Sequence, residues 1–184
     1  FISSEKSVGI YSSTDGSTWK QEVKTNLWDG DNYGNLGGSD VVSNSKGGYT
    51  SNSAGAYVLN NRVWYVVANN KDEYGSQKKI YSSVDGVNWR DEGEFKIDGK
   101  NDQVLDIAWN TNPMPVIFRG EAWIISSNRK TGAPMVIKTI NGRDWTQVSN
   151  SSTKYPAPRY YSTMVAFKNK LWTLGGFDNG RVLN

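Results

Sequence analysis

The sequence contains no cysteine and no histidine. Without cysteine the chain cannot form disulfides, thiolate metal sites or a cysteine nucleophile. Without histidine it lacks the commonest general base, and the loss of both removes the commonest transition-metal ligands. Any catalysis would have to rest on carboxylates, tyrosine, lysine or arginine, so the composition lowers the expectation of an enzyme.

Charge and hydropathy exclude further classes. The 21 basic and 18 acidic residues are scattered, with a formal net charge of +3, so we predict no nucleic-acid partner. No run of about 18 apolar residues predicts a membrane span. The first residues, FISSEKSVGI, lack the basic start and apolar core of a signal peptide, and the absence of an initiating Met suggests a processed chain or a fragment.

The remaining composition favours short strands and turns. Of 184 residues, 19 are glycine, eight are tryptophan and ten are tyrosine. Aromatic residues favour strands, glycine favours turns, and few stretches are rich in the helix formers Ala, Leu, Glu and Lys. The apolar share of 36% is enough to fill a packed core. We therefore predict an all-β globular chain.

One motif occurs three times and predicts a β-hairpin each time. Its copies, IYSSTDGSTW, IYSSVDGVNW and VIKTINGRDW, begin at Ile10, Ile80 and Val136. Each contains an Asp-Gly or Asn-Gly pair, the strongest short hairpin signal, because a type I′ turn needs positive φ at both central positions. A tryptophan stands three residues after each glycine, where its ring would pack the returning strand against a neighbouring strand. The repeat positions are Asp15, Gly16, Trp19, Asp85, Gly86, Trp89, Asn141, Gly142 and Trp145.

A second motif also predicts a hairpin, and it precedes the first motif along the chain. Its copies are YVLNNRVWYVVAN, VIFRGEAWIISSN and VAFKNKLWTLGGF. In each copy an apolar strand, a polar turn and a strand carrying Trp64, Trp123 or Trp172 follow one another. The second motif followed by the first gives a repeated four-stranded unit.

These repeats resemble bacterial kelch-repeat propellers whose blades end in an Asp-box-like Y-S-x-D-G-x-x-W segment. The best-matching stretch is PAPRYYSTMVAFKNKLWTLGGFDNG, which resembles a kelch repeat from Pro158-Arg159 through Trp172 to the double glycine Gly175-Gly176. In the other two units Ala68-Asn69 and Ser126-Ser127 replace the double glycine. The resemblance implies a β-propeller with blades of four antiparallel strands.

The number of blades is about three. Residues 53–93 and 113–150 are predicted to form complete blades, 155–184 the first hairpin of a blade, and 1–22 the last hairpin of one. Propellers typically have about four to eight blades. We therefore expect one propeller domain, or part of one, completed by missing sequence or by another chain, six blades from two chains being the simplest arrangement.

Enzymes built on similar propellers offer an alternative function. Sialidases, which this chain resembles in its Asp-box-like turns, keep these turns away from the substrate and catalyse with arginines, a tyrosine and carboxylates. Arg119, in Phe118-Arg119-Gly120, is similar only in part to their arginine motif, because the Ile-Pro pair is missing. The copper site of galactose-oxidase-like propellers needs histidine or cysteine. This chain has neither, so nothing in it is similar to that copper site. Kelch-type sialic-acid mutarotases remain an alternative, since their proton transfers can use carboxylates and arginines.

One long connection, about residues 24–52, contains a weak calcium candidate. In DGDNYGNLGGSD the residues Asp29, Asp31 and Asp40 occupy positions 1, 3 and 12 of a calcium-loop frame. Position 5 is Tyr33, the last ligand is not Glu, and no flanking helices are predicted. A plain turn-rich loop is therefore the simpler interpretation, and we predict no other cofactor.

Two tryptophans lie outside the repeat positions, in or beside the long connections at about 24–52 and 94–112. Trp28 and Trp109, with Tyr33, offer flat apolar faces that stack on sugar rings or anchor a protein partner. The alternative is that they plug the channel or cap a neighbouring blade. With Arg119, they are the predicted binding residues.

Taken together, these features predict a non-catalytic propeller scaffold that recognises a protein or glycan through its loops. A carbohydrate-active enzyme is the first alternative. The second is an assembly module that pairs through open blade edges, as a homo-oligomer or as part of a longer chain. By family habit we expect an extracellular or cell-surface protein.

Overall fold

The computed structural model describes residues 9–24, 42–43, 49–50, 54–69, 77–101, 114–127, 134–148, 163–175, 177–178 and 181–182. These residues form β-strands and turns and include no helix, and hence no apolar helix long enough to span a membrane. The strands are β1 (Gly9–Ser12), β2 (Lys20–Lys24), β3 (Val42–Ser43), β4 (Tyr49–Thr50), β5 (Ala54–Leu59), β6 (Arg62–Asn69), β7 (Gln77–Ser83), β8 (Trp89–Glu94), β9 (Lys96–Ile97), β10 (Lys100–Asn101), β11 (Val116–Phe118), β12 (Glu121–Ser127), β13 (Pro134–Thr139), β14 (Asp144–Gln147), β15 (Thr163–Phe167), β16 (Lys170–Leu174), β17 (Phe177–Asp178) and β18 (Arg181–Val182).

Two four-stranded antiparallel units carry the fold, as the repeats predict. Strands β5 to β8, here called blade two, pair in chain order. Strands β11 to β14, called blade three, do the same. The chain is therefore all-β and made of four-stranded propeller blades.

Two further hairpins form separate sheets, and we call them half-blades because their sequences match halves of the repeated unit. Strands β1 and β2 form the first half-blade, which carries the first Asp-Gly turn. Strands β15 and β16 form the last half-blade, which carries Trp172. Each is a separate two-stranded sheet, as are the short pairs β3–β4 and β17–β18.

The first hairpin of each unit closes through a type I′ turn. Both central residues have positive φ: 54° and 56° at Asn60 and Asn61, 53° and 76° at Arg119 and Gly120. In the last half-blade the turn residues Lys168 and Asn169 also have positive φ, 47° and 56°. This turn matches the right-handed twist of the strands it joins, so the hairpin register is set locally.

The Asp-Gly and Asn-Gly pairs also close hairpins, but the expected type I′ geometry is wrong for them. Positive φ is found at the glycines alone, 73° at Gly16, 75° at Gly86 and 87° at Gly142, and not at the Asp or Asn before each of them. More than two residues separate the paired strands at these turns. The physical reason is the side chain of the Asp or Asn, which bonds to the following backbone N–H groups and so holds a wider turn.

The first strands of successive units lie side by side, since β11 contacts both β5 and β15. Strands β5, β11 and β15 are therefore neighbours, and we call them the inner strands. Within each blade the two tight turns share one end, called the turn face. The inner strands begin at the opposite end, called the loop face, where the second strand of each blade ends and the third begins.

Blades two and three enclose one hydrophobic core. It is formed by alternate residues of both sheets, because side chains in a strand point to opposite faces in turn. Its buried members are Tyr57, Leu59, Trp64, Val66, Ile80, Phe95, Ile97, Ala122, Ile124, Met135, Ile137 and Trp145. Trp145, one of the predicted packing tryptophans, is 1% exposed, with its ring 5.6 Å from that of Phe95 and 6.0 Å from that of Tyr57.

The junction between the two blades centres on Gly142. The Tyr57 hydroxyl donates a 2.7 Å hydrogen bond to the Gly142 carbonyl, and burial raises the pKa of Tyr57, so the phenol keeps its donor proton. The Trp64 indole lies against the same glycine, where any Cβ would collide with it. Asn60 adds a 2.9 Å bond from its amide to the carbonyl of Ile140. A turn of blade three is thus seated on the first hairpin of blade two.

The segment after blade two departs from the expected long loop. Strand β9 pairs in parallel with β14 of blade three, and β10 folds back on β9, extending that sheet to six strands. Phe95 and Ile97 are buried there, at 1% and 7% exposure. The segment Phe95-Lys96-Ile97 is too short to show a strand periodicity, so the sequence could not predict it as a strand. The strand forms by pairing with β14 of blade three.

The tryptophans of the two half-blades are less covered than those of the complete core. Trp19 is 61% exposed and Trp172 is 44% exposed, whereas Trp64 is 7% exposed. Trp89 in blade two is half-buried. The repeat tryptophan is therefore buried at Trp145, half-buried at Trp89 and exposed at Trp19 among the described residues.

Replacing Gly142 with alanine tests the blade junction. We expect the free energy of unfolding to fall by about 2–4 kcal/mol, combining left-handed backbone strain with overpacking against Trp64. Gly99→Ala is the matched control, because Gly99 also has positive φ (73°) but nothing lies within 4 Å of its Cβ position. Its loss should be about 1 kcal/mol. Equal losses in urea denaturation of the two variants would contradict the proposed contact.

Candidate functional site

The Asp-Gly turn of blade two is held by side chains rather than by packing. The Asp85 carboxylate accepts backbone hydrogen bonds from Val87 at 2.8 Å and Asn88 at 2.7 Å. Its second oxygen accepts from the Asn88 amide at 2.7 Å. The Ser83 hydroxyl donates to the carboxylate at 2.9 Å and accepts from the Gly86 N–H at 2.9 Å. The turn backbone is therefore satisfied without a neighbouring blade.

The same network recurs at the other two turns. In the first half-blade Asp15 accepts from Ser17 and Thr18 at 2.8 and 2.7 Å, with Ser13 in the hydroxyl position. In blade three Asn141 takes the place of the aspartate and donates its amide to Asp144 at 2.8 Å. Blade two has Asp then Asn and blade three Asn then Asp, so the acid and amide exchange places while the bonding pattern stays.

These hydrogen bonds favour the charged carboxylate. The backbone N–H of Asn88, followed by its side-chain amide, holds the pKa of Asp85 well below the ordinary value of 3.8. The backbone N–H groups of Thr18 and Ser17 do the same to the pKa of Asp15. A carboxylate that resists protonation and bonds only to its own turn is suited to structure, not to general acid catalysis.

Arg119 lies at the turn face. Its backbone occupies the left-handed region, and its guanidinium stacks on Phe118 with 5.0 Å from Cζ to the ring centre. Its Nε donates to the side-chain amide oxygen (Oδ1) of Asn169 at 3.0 Å. Lys168 stands in the same way over Phe167, at 5.4 Å. Arg119 therefore links the inner turns of two neighbouring blades, and no carboxylate within the described residues pairs with it.

The other predicted binding residues lie outside the described residues. These are Trp28, Tyr33 and Trp109, and the calcium candidates Asp29, Asp31 and Asp40. The described residues include no group of three or more acidic side chains placed to hold a metal ion. Strands β11 and β15 both begin at the loop face. Arg119 is at the opposite end of its strand.

Sequence reasoning missed two features of the turns. The hydroxyl at Ser13, Ser83 and Thr139 completes each network, and its recurrence two residues before the Asp or Asn was visible in the sequence. The bond from Arg119 to Asn169 joins residues 50 positions apart, and nothing in the sequence signals it.

Comparison with known proteins places the fold. No protein-family model and no curated protein matches the chain. Among solved structures, the chain is similar to Zg3597, a family 117 glycoside hydrolase produced by the marine bacterium Zobellia galactanivorans, at 12% identity and a TM-score of 0.53, covering 96% of this chain and 52% of that one.

Two further structures match less of the chain. One is a BT0996 RGII complex, at 18% identity, a TM-score of 0.38, and coverage of 70% of this chain and 49% of that one. The other is a glycoside hydrolase at 17% identity, a TM-score of 0.36, and coverage of 80% and 53%. This chain thus spans about half the length of the structures it resembles.

The pH dependence of stability tests the turn network. Because the folded pKa of Asp85 lies below the unfolded one, its stabilising effect is present above about pH 4 and is lost as pH falls through the folded pKa. Asp85→Asn keeps an amide-oxygen acceptor like the one that Asn141 provides in blade three. The stability of this variant should therefore fall less steeply than that of the parent as the pH drops from about 4 to 2.

Asp85→Ala is the comparison variant for Asp85→Asn. It removes the acceptor altogether and should lower the melting temperature at every pH. Melting curves recorded from about pH 7 to 2 cover the range in which the carboxylate titrates. An Asp85→Asn variant with the acid dependence of the parent would show that this carboxylate does not couple to folding.

Proposed function

We propose that this chain is the glycan-binding part of a carbohydrate-active β-propeller protein of the glycoside hydrolase kind. The observation that carries the proposal is the fold likeness over 96% of the chain to a family 117 glycoside hydrolase. Since the chain spans 52% of that protein, a full binding cleft would need blades beyond those described. An unspecified protein partner, as the sequence also allowed, has no comparable support.

The loop face is the proposed binding surface. The turn face is occupied by short turns, whose polar groups bond to one another and to the next blade. Strands β5 and β11 begin at the loop face, and the sequence before them contains Trp28, Tyr33 and Trp109. Sugar rings bind by stacking their apolar faces on such aromatic side chains, with neighbouring polar groups fixing the orientation.

Hydrolysis would need two carboxylates beside the glycosidic bond. Several of the described carboxylates have structural partners instead: Asp91 bonds to Lys79 at 2.8 Å, and Glu121 bonds to Lys138 at 2.8 Å. Asp85 is held by its own turn. A catalytic pair would therefore come from residues outside those described, and glycan binding is the part of the proposal that this chain can be tested for.

Two finer assignments belong to the same proposal. The shared bonding pattern of Asp15, Asp85 and Asn141 supports assigning the three turns to the Asp-box class. The kelch resemblance supports the same type of repeat. A location outside the cell or at its surface stays a prediction.

Affinity electrophoresis through gels containing purified plant and algal polysaccharides tests the proposal. We expect at least one polysaccharide to retard the chain, and Trp109→Ala to weaken that retardation about three- to tenfold through the lost stacking. Arg119→Ala, at the turn face, is the control and should bind as the parent does. Retardation by no polysaccharide, or a loss in Arg119→Ala alone, would contradict binding at the loop face. Release of reducing ends from the retained polysaccharide distinguishes hydrolysis from binding.

A further inference from the structure

The sequence contains two Asn-Gly pairs, and the structure describes both residues of one of them. Asn141-Gly142 lies in the turn of blade three, and Asn179-Gly180 lies outside the described residues. An asparagine before glycine can lose its amide, because the glycine has no side chain to hinder attack by its backbone nitrogen. Asparagine is one of the thermolabile residues of proteins. Asn141 is therefore a candidate for spontaneous chemical modification.

The reaction needs water and no other reactant. The Gly142 backbone nitrogen gives up its proton and attacks Cγ of Asn141. The new N–Cγ bond forms, the Cγ–Nδ2 bond breaks, and the amide nitrogen leaves as ammonia. Water then opens the cyclic imide at either carbonyl, which gives aspartate or its β-linked isomer. The reaction requires the Gly142 nitrogen to lose its proton and the Asn141 side chain to turn toward it.

The native turn holds the attacking nitrogen. The Gly142 N–H donates to the Thr139 hydroxyl oxygen at 3.0 Å, and the Gly142 carbonyl accepts from the Tyr57 hydroxyl at 2.7 Å. The glycine is buried, and the Trp64 indole lies against it. The peptide nitrogen can therefore meet the water that would take its proton only when the junction between blades two and three opens.

The same turn holds the asparagine side chain. Oδ1 of Asn141 accepts from the backbone N–H groups of Arg143 at 3.0 Å and Asp144 at 2.9 Å. It also accepts from the Thr139 hydroxyl at 3.0 Å, and Nδ2 donates to the Asp144 carboxylate at 2.8 Å. Thr139 is 2% exposed, so one buried hydroxyl bonds to both halves of the reacting pair.

The product would not fit this turn. Blade two combines one acid with one amide, Asp85 and Asn88, and blade three does the same with Asn141 and Asp144. Loss of the amide would place two carboxylates where the present partners are 2.8 Å apart, and like charges so close oppose each other's ionisation. The β-linked isomer would in addition lengthen the turn backbone that is seated at Gly142.

We propose that Asn141 is a deamidation site which the closed junction of blades two and three protects, and whose modification opposes closure of that junction. The Thr139 hydroxyl is the group that couples the chemistry to the fold, since it bonds to Asn141 and to Gly142. Modified chains should therefore arise from opened molecules and should not regain the parent stability. This inference is independent of the proposed glycan binding.

Peptide mass spectrometry of the intact chain tests the protection. Trypsin cuts after Lys and Arg, so residues 139–143 and 171–181 carry the two Asn-Gly pairs on separate peptides. The change from amide to acid in residues 139–143 should be at least about tenfold slower in the folded chain than in urea at the same pH. In urea both peptides should react at similar rates. Equal rates for residues 139–143 with and without urea would overturn the protection.

Substitution of the hydroxyl separates the turn from general stability. Thr139→Val should speed the reaction of Asn141 about three- to tenfold in the folded chain, because two hydrogen bonds to the reacting pair are lost. Thr139→Ser keeps the hydroxyl and should react as the parent does. Ser83→Ala removes the corresponding hydroxyl from the turn of blade two and should also leave Asn141 slow. Equal acceleration in Thr139→Val and Ser83→Ala would overturn the role given to Thr139.

Asn141→Asp reproduces the direct product and tests its fit. It should melt at a lower temperature than the parent at pH 7, and the difference should shrink toward about pH 4, because only two ionised carboxylates repel. Adding Asp144→Asn restores one acid and one amide, in the order of blade two, and should recover most of the loss. Asp144→Asn alone is the control. Parent-like melting of Asn141→Asp, or no recovery in the double variant, would contradict the charge conflict.

Discussion

The contact on which this structure depends is the seating of a turn glycine of one blade against the tryptophan of the blade before it. At Gly142 the Trp64 indole occupies the space that a side chain would need, and the Tyr57 hydroxyl bonds to the glycine carbonyl. Side chains of the two blades thereby pack into one hydrophobic core that contains Trp145, which is 1% exposed. A single blade lacks this contact, which explains why repeats of this kind are stable only when stacked.

The turn network gives all three turns the same shape, although only the turn at Gly142 is seated on a tryptophan among the described residues. A hydroxyl, an Asp or Asn side chain and the following backbone N–H groups bond in the same pattern at all three copies. Because the turn is satisfied by its own residues, it can be presented rigidly to whichever blade packs beside it. The polar groups of the turn face are thereby engaged in structural hydrogen bonds.

The order of strands and the place of each hairpin could be predicted from the sequence. The Asp-Gly and Asn-Gly pairs signal tight turns through local backbone preference, and the alternating strands around Trp64 and Trp123 signal pairing. Strands β9 and β10 could not be predicted, because two-residue strands carry no period and exist here through pairing with β14. The role of Arg119 was equally hidden, since its partner Asn169 is brought near by the packing of two blades.

The sequence by itself determined that the chain is all-β, that it is built from a repeated four-stranded unit, and where its tight turns fall. Those properties depend on neighbours in the chain, which the sequence lists. Only the tertiary structure decided which tryptophan is buried, which glycine is covered, and that Arg119 stands apart from the loop face. Those properties depend on how one blade packs on the next, and that packing is set by residues distant in sequence. The tryptophan of the same motif is therefore 1% exposed at Trp145 and 61% exposed at Trp19.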